Sequence, residues 1–269
     1  MPELPEVEVG RKIADAACAG KTIEYVYAAE DDIVYDGVSP RSFARTLKGR
    51  KVEAVHRRGK QLWMTLDEGP HPLFHFGMTG WFKAYTDESE RHEYCKCELL
   101  MSDGTRLGMK NSRRLGRIKL REDPEHQPPI SELGFDPYLE MPGVKTFTDL
   151  LTRRKAPIKA VLLDQGFAAG VGNWVADEAL YHARLDPRRR ANELSDEEAR
   201  TLRTKLSYVI RKAVEWDADA SRFPDSWLFL HRWQLRASKK GEITDHEGNR
   251  VTFDKVGGRT TSWVPARQK

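Results

Sequence analysis

Apolar positions near the start of the chain repeat with the period of a helix: Val9, Ile13, Ala16 and Ala17 follow Pro5 at i, i+4, i+7 and i+8. Pro5 suits a first helical turn, where its missing N–H costs nothing, and Gly20 marks an end. The spacing predicts a short amphipathic helix that anchors the N-terminus against a core. From residue 22 to about 120 the pattern changes to short alternating or continuous apolar runs. They are TIEYVYA (22–28), KVEAVHR (51–57), QLWMTL (61–66), PLFHF (72–76), WFKAYT (81–86) and EYCKCELLM (93–101), with Asp103-Gly104 as a hairpin turn signal. Many short strands with no alternating helices predict a β-sandwich.

The pattern changes again after a proline- and acid-rich stretch at 122–143. Thr146 with Asp149 resembles a capping box, Pro157 can start a helix that Gly166 stops, and Asn173 can cap one carrying Trp174 to His182. Ser195 and Glu198 form another capping box, ahead of a long helix with Leu202, Leu206, Val209, Ile210 and Ala213 on one face. Strand-like segments return in the tail (EITD, RVTF and TTSWV), broken by EGN and VGGR. The expected class is therefore α+β. Its parts are a helix plus β-sandwich domain at 1–128, a linker at 129–143, a helical domain at 144–236 and a hairpin at 237–269.

Composition narrows the function classes. Hydrophobic residues make up 39% of the 269, enough for a core, and 45 Lys+Arg against 41 Asp+Glu give a net charge of only +4. The balance alone does not make a nucleic-acid binder, but the distribution points to a polyanion. Basic clusters recur at Arg57, Arg58 and Lys60; at Arg113, Arg114, Arg117, Lys119 and Arg121; at Arg153 to Lys155; and at Arg188 to Arg190. Three cysteines make a disulfide scaffold implausible and fit a reducing compartment. With no apolar run near the ~18 residues of a membrane span and no signal-peptide core, a soluble intracellular protein is expected.

Candidate chemistry begins at Met1-Pro2-Glu3. Removal of Met1 would leave a secondary amine at Pro2, with the Glu3 carboxylate one residue away. An α-amino group titrates near pH ~8 against ~10.4 for lysine, so a useful fraction is a neutral nucleophile at pH 7. A secondary amine gives an iminium that keeps its charge, and Glu3 can move protons beside it. The plain alternative is a solvated tail.

MPELPEVE resembles the N-terminus of the formamidopyrimidine-DNA glycosylase / endonuclease VIII family, and four more blocks follow in that family's order. They are RRGKQL (57–62), HFGMTG (75–80), NSRRLG (111–116) and GVGNWVADEAL (170–180). The resemblance implies that Pro2 is the nucleophile, Glu3 the proton carrier and Lys60 a catalytic group near the damaged nucleotide's phosphate; alone, Lys60 would be a strand-edge solubility residue. It implies that Met78, Arg113 and Leu115 enter the duplex where a damaged base has been everted, although Met78 and Leu115 alone would read as core. Extruding a nucleotide costs a few kcal/mol, which an apolar wedge and an arginine can offset. Bacterial relatives commonly have phenylalanine where this chain has Leu115.

The resemblance further makes Asn173 a phosphate ligand in a helix–two-turns–helix element, an interhelical cap being the alternative. It sets Glu6 in or beside the active site and His92 near the DNA backbone; a helix-start acid and a surface histidine are the alternatives. Bacterial relatives end in a four-cysteine zinc finger. No cysteine follows Cys97 here, so the tail resembles the zincless finger of plant and fungal members, with Arg259 as the candidate phosphate ligand on a β-hairpin. Cys95 and Cys97 look like small core residues. No metal or organic cofactor is expected.

The implied activity is a bifunctional DNA glycosylase and abasic-site lyase of base excision repair, acting on double-stranded damaged DNA as a monomer, in the nucleus of a eukaryote or the cytoplasm of a bacterium. DNA is expected in a basic cleft between two domains. The segment EWDADASRFPDSWLFLHRWQ looks shorter than the bacterial loop that covers 8-oxoguanine. It predicts weaker 8-oxoguanine excision and better work on formamidopyrimidines or further-oxidised guanine. The alternatives are an endonuclease VIII-like enzyme for oxidised pyrimidines and a non-catalytic binder of damaged DNA.

Overall fold

Two prolines and a glutamate start the first helix, α1 (Leu4–Cys18), of the computed structural model, which describes residues 1–232 and 242–269. The chain divides into two units, Met1–Glu132 and Leu133–Lys269. In α1 the buried face is Leu4, Val7, Ala14, Ala17 and Cys18. It is rotated from the predicted stripe, leaving Ala16 exposed and Val9 and Ile13 half-buried. The reason is polar. Glu8 lies on the inner face, where its Oε2 receives the Arg57 Nε at 2.8 Å, so the helix turns that carboxylate inward with the aliphatic side chains.

The first unit is the expected sandwich of two four-stranded antiparallel sheets. Its strands are β1 (Ile23–Ala28), β2 (Val52–Arg58), β3 (Gln61–Leu66), β4 (His71–His75), β5 (Trp81–Tyr85), β6 (Cys95–Met101), β7 (Arg106–Lys110) and β8 (Arg117–Arg121). One sheet has the order β1-β6-β7-β5 and the other β2-β3-β4-β8. Ile23, Val55, Leu62, Phe74, Phe82, Leu99, Met109 and Ile118, drawn from both sheets, share one buried core with Val7 and Ala14 of α1. The Asp103-Gly104 turn joins β6 to β7, with Gly104 at positive φ.

One helix interrupts the strands against expectation: α2 (Pro40–Leu47). Ser39 caps it by accepting from the Ser42 N–H at 3.1 Å, Pro40 takes the first turn, and Phe43 and Leu47 supply the buried face. Two buried side chains four apart were too few to stand out among the surrounding strand runs.

The second unit is helical, with α3 (Val144–Thr152), α4 (Ile158–Leu163), α5 (Asn173–Ala183), α6 (Asp196–Glu215) and α7 (Leu228–Arg232), and ends in a hairpin of β9 (Thr252–Val256) and β10 (Arg259–Trp263). The Ser195–Glu198 capping box is formed, and all five apolar residues expected on one face of α6 are buried. Two expected caps are corrected. Gly143, not Thr146, precedes α3, and Asp149 instead pairs with Lys145 one turn away at 2.8 Å. Gly172 takes the N-cap of α5, which moves Asn173 to the first helical position and frees its amide from capping. Among the described residues no helix is long and apolar enough to cross a membrane.

Candidate functional site

Glu3 holds the N-cap of α1 and is 2% exposed, so the residue beside the candidate nucleophile is fixed rather than part of a waving tail. Its side chain accepts from the Glu6 N–H while its own N–H donates to Glu6 Oε2 at 2.9 Å. Burial, then the neighbouring Glu3 carboxylate, pushes Glu6 up to about 7. Glu6 can therefore hold a proton at neutral pH beside the Glu3 carboxyl. Pro2 is half-buried just ahead of them.

Lys60 follows Gly59 in the tight β2–β3 connection. The same Arg57 that meets Glu8 donates through Nη1 to the Gly59 carbonyl at 3.0 Å. A buried ion pair thus ties the helix that displays Glu3 to the turn that displays Lys60. His75, at the end of β4, was not singled out in the sequence although it heads the HFGMTG block. Burial, then the positive charges of Lys60, Arg117 and Lys119, pushes it down to about 4. It is a neutral acceptor, taking the Gly77 N–H on Nδ1 at 3.2 Å.

Met78, Arg113 and Leu115 come from two separate loops that are clasped into one. Asn111, fully buried, donates from Nδ2 to the Phe76 carbonyl at 2.9 Å and accepts the Gly116 N–H on Oδ1 at 3.2 Å. Thr79 Oγ1 lies 3.3 Å from both Ser112 Oγ and the Arg113 N–H. Gly77 has φ +62°, and a Cβ there would stand 2.4 Å from the Leu115 carbonyl, so the loops meet backbone to backbone. This clasp holds two apolar side chains outward, Met78 at 40% and Leu115 at 42% exposure. Neither is core, which a local reading of the sequence favoured. Arg113 is exposed beside them, while Arg114 turns away at positive φ into a bidentate contact with Asp31. Burial works to raise Asp31, but the hydrogen bonds from Arg114 and Lys96 prevail and hold it at about 2. Of two adjacent arginines, one is locked and the other presented.

His92 is exposed and accepts the Tyr94 N–H on Nδ1 at 3.0 Å. It lines a shallow cavity of about 200 Å³ with Trp81, Cys95 and Lys110, and two of these directly adjoin the clasp at Gly80 and Asn111. Cys95 and Cys97 are buried, and burial raises both thiols, Cys95 to about 11. They are core residues and poor metal ligands. Among the described residues no three His, Cys, Asp or Glu side chains cluster to hold a metal ion, so nothing here fits the zinc of a cysteine finger.

In the second unit Asn173 and Arg259, far apart in sequence, are neighbours. The Asn173 amide donates from Nδ2 to the carbonyl of Thr260, the residue after Arg259, at 2.9 Å. An amide nitrogen carries two protons, and among the described residues the Thr260 carbonyl takes one of them, leaving the other for an anion at the N-terminus of α5. Arg259 pairs with Val256 across the hairpin tip and is exposed. The domain boundary expected after residue 236 and the last two residues of the EWDADASRFPDSWLFLHRWQ segment lie outside the described residues. Within the rest of that segment Phe223, Trp227 and Leu228 are buried, the Trp227 ring 4.8 Å from that of Phe223, while most of residues 215–222 are exposed.

Residues 1–118 match the family model described as the formamidopyrimidine-DNA glycosylase N-terminal domain, and residues 133–225 match the formamidopyrimidine-DNA glycosylase H2TH domain. A formamidopyrimidine-DNA glycosylase of Arabidopsis thaliana is 40% identical over 282 residues, covering 100% of this chain and 71% of that protein. One from Bacillus subtilis is 32% identical, covering 97% and 96%. The Lactococcus lactis formamidopyrimidine-DNA glycosylase, solved non-covalently bound to DNA containing an abasic site, shares the fold with a TM-score of 0.84 at 24% identity over 99% of each chain.

Proposed function

Because this chain belongs to the formamidopyrimidine-DNA glycosylase family, we propose that it is a bifunctional glycosylase and abasic-site lyase that excises oxidised purines from duplex DNA. The reaction starts when the Pro2 amine, exposed by loss of Met1, attacks C1′ of an everted nucleotide. Glu3 protonates the sugar ring oxygen as the ring opens, and the base departs. The iminium then acidifies the C2′ protons, so β-elimination expels the 3′ phosphate and δ-elimination the 5′ phosphate. Glu6, titrating near 7, serves as the local proton reserve for Glu3. Lys60, Asn173 and Arg259 take phosphates, His92 stands near the backbone, and Met78, Arg113 and Leu115 occupy the gap left by the everted nucleotide.

The observation that carries this reading is the clasp. A soluble domain gains nothing by holding a methionine and a leucine outward on a rigid double loop beside an unlocked arginine, whereas a duplex with a gap in its stack accepts all three. The burial of Phe223, Trp227 and Leu228 supports a preference for formamidopyrimidines and further-oxidised guanine over 8-oxoguanine, since it takes the large apolar side chains of that short stretch away from any cover.

Single-turnover excision on matched duplexes tests the preference. Faster release of a formamidopyrimidine or a further-oxidised guanine than of 8-oxoguanine or an oxidised pyrimidine is expected. Fastest release of the pyrimidine would transfer the chain to the endonuclease VIII-like reading.

A further inference from the structure

A hairpin of two five-residue strands is at best marginal by itself, and the second unit holds its hairpin with neither cysteines nor a metal cluster among the described residues. The side chain at its centre is Lys159 of α4, which is fully buried. Its ammonium donates to Asp177 of α5, to Thr261 Oγ1 at 2.7 Å and to the Thr260 carbonyl at 3.3 Å. The Thr261 hydroxyl in turn donates to the carbonyl of Arg259 at 3.4 Å. Asp177 uses Oδ2 to accept the Ser262 N–H at 3.1 Å and pairs with Arg232 at 2.9 Å. Close backbone packing adds to this, for a Cβ on Gly257 at the hairpin tip would stand 3.0 Å from Ala160, the residue after Lys159.

Lys159 and Asp177 both bind residues 260–262, and the Thr261 hydroxyl carries the contact on to the Arg259 carbonyl. A buried ion pair contributes little net stability compared with apolar packing, so its presence calls for a role in geometry. We propose that Lys159, paired with Asp177, is the positioning group of the hairpin: it does without metal what a zinc does for a cysteine finger, and sets Arg259 for its phosphate. Lys159 touches no DNA in this account. It acts through Thr261 and the Arg259 backbone, while Asn173 clamps the intervening Thr260 carbonyl. The inference rests on the phosphate role proposed above for Arg259.

The test is affinity for a duplex carrying a tetrahydrofuran abasic analogue, measured across a salt series for the wild type, Arg259→Ala, Lys159→Met and the double variant. Losing one phosphate contact lowers the slope of log K against log salt by about 0.9 and weakens binding roughly tenfold. Arg259→Ala is expected to do this. Lys159→Met should produce most of the same change in the Arg259 protein and almost none in the Arg259→Ala background, which a general loss of stability would not imitate. Equal losses in both backgrounds, or none in either, would overturn the proposal. An Arg259→Ala protein with unchanged slope would remove the phosphate role itself and the inference with it. Should Lys159→Met not fold, Thr261→Val deletes only the connecting hydroxyl; the same background-dependent change is expected, and an unchanged slope counts against the proposal.

Discussion

A carboxyl that titrates near 7 divides its time between acid and base at neutral pH, and Glu6 is such a group only because it is buried against Glu3. Its folded value lies above its ordinary 4.5, so the folded protein binds the proton more tightly than the unfolded chain. The stability this group contributes is present below about 4.5 and is lost as pH rises to 7. Denaturant unfolding at pH 5 and pH 8 is therefore expected to show a pH-dependent loss in the wild type that is smaller in Glu6→Gln. An equal loss in both would mean that Glu6 titrates normally. Met78 and Leu115 make the opposite case, residues whose value lies outside folding. Either one changed to alanine should alter stability by no more than about 0.5 kcal/mol, since both are exposed, while base excision falls at least roughly tenfold. Leu115→Phe, with a larger stacking face, should excise faster than the wild type under single-turnover conditions.

Elements owe their accuracy here to neighbours more than to local pattern. The clasp between the 76–80 and 111–116 loops is the clearest instance. The sequence offers Gly77, Gly80 and Gly116 as punctuation, but that Asn111 bridges the two loops depends on β4 and β8 pairing in one sheet. Replacing Asn111 with alanine strips a side-chain partner from a buried carbonyl and a buried N–H, at a cost of about 1–3 kcal/mol. We expect that variant to lose base excision far more than nicking of a preformed abasic site, where no base remains to be everted; equal losses on both substrates would contradict the gap-filling role. The strands at 61–66 and 81–85, and the Ser195–Glu198 helix start, were legible because alternation and capping are local signals. Helix α2, the true cap of α5 and the neutral His75 were not. Two buried side chains are too short a pattern to mark α2 among strands, Gly172 has no side chain to signal a cap, and the neutral state of His75 depends on burial and on charges distant in the chain.

For the molecule as a whole, charge and composition revealed little, with a net charge of +4 hiding basic loops among paired acids. The ordered motifs revealed the family, and with it the fold. What they left unexplained was how the tail holds together once its cysteines are gone, and the buried Lys159–Asp177 pair answers that in side-chain terms. Exhaustive treatment with a chelator is accordingly expected to leave both the melting temperature and the nicking rate unchanged; a fall in either would reveal a metal that the described residues cannot hold. The central claim, however, is covalent. Borohydride reduction during reaction with a duplex carrying a formamidopyrimidine or a plain abasic site should trap protein on DNA, with the adduct mapping to a peptide that begins at Pro2, and Pro2→Gly should map differently or trap more slowly. Tight binding to both duplexes without any adduct, from protein verified to have lost Met1, would contradict the enzyme and leave a clamp that recognises damage without repairing it.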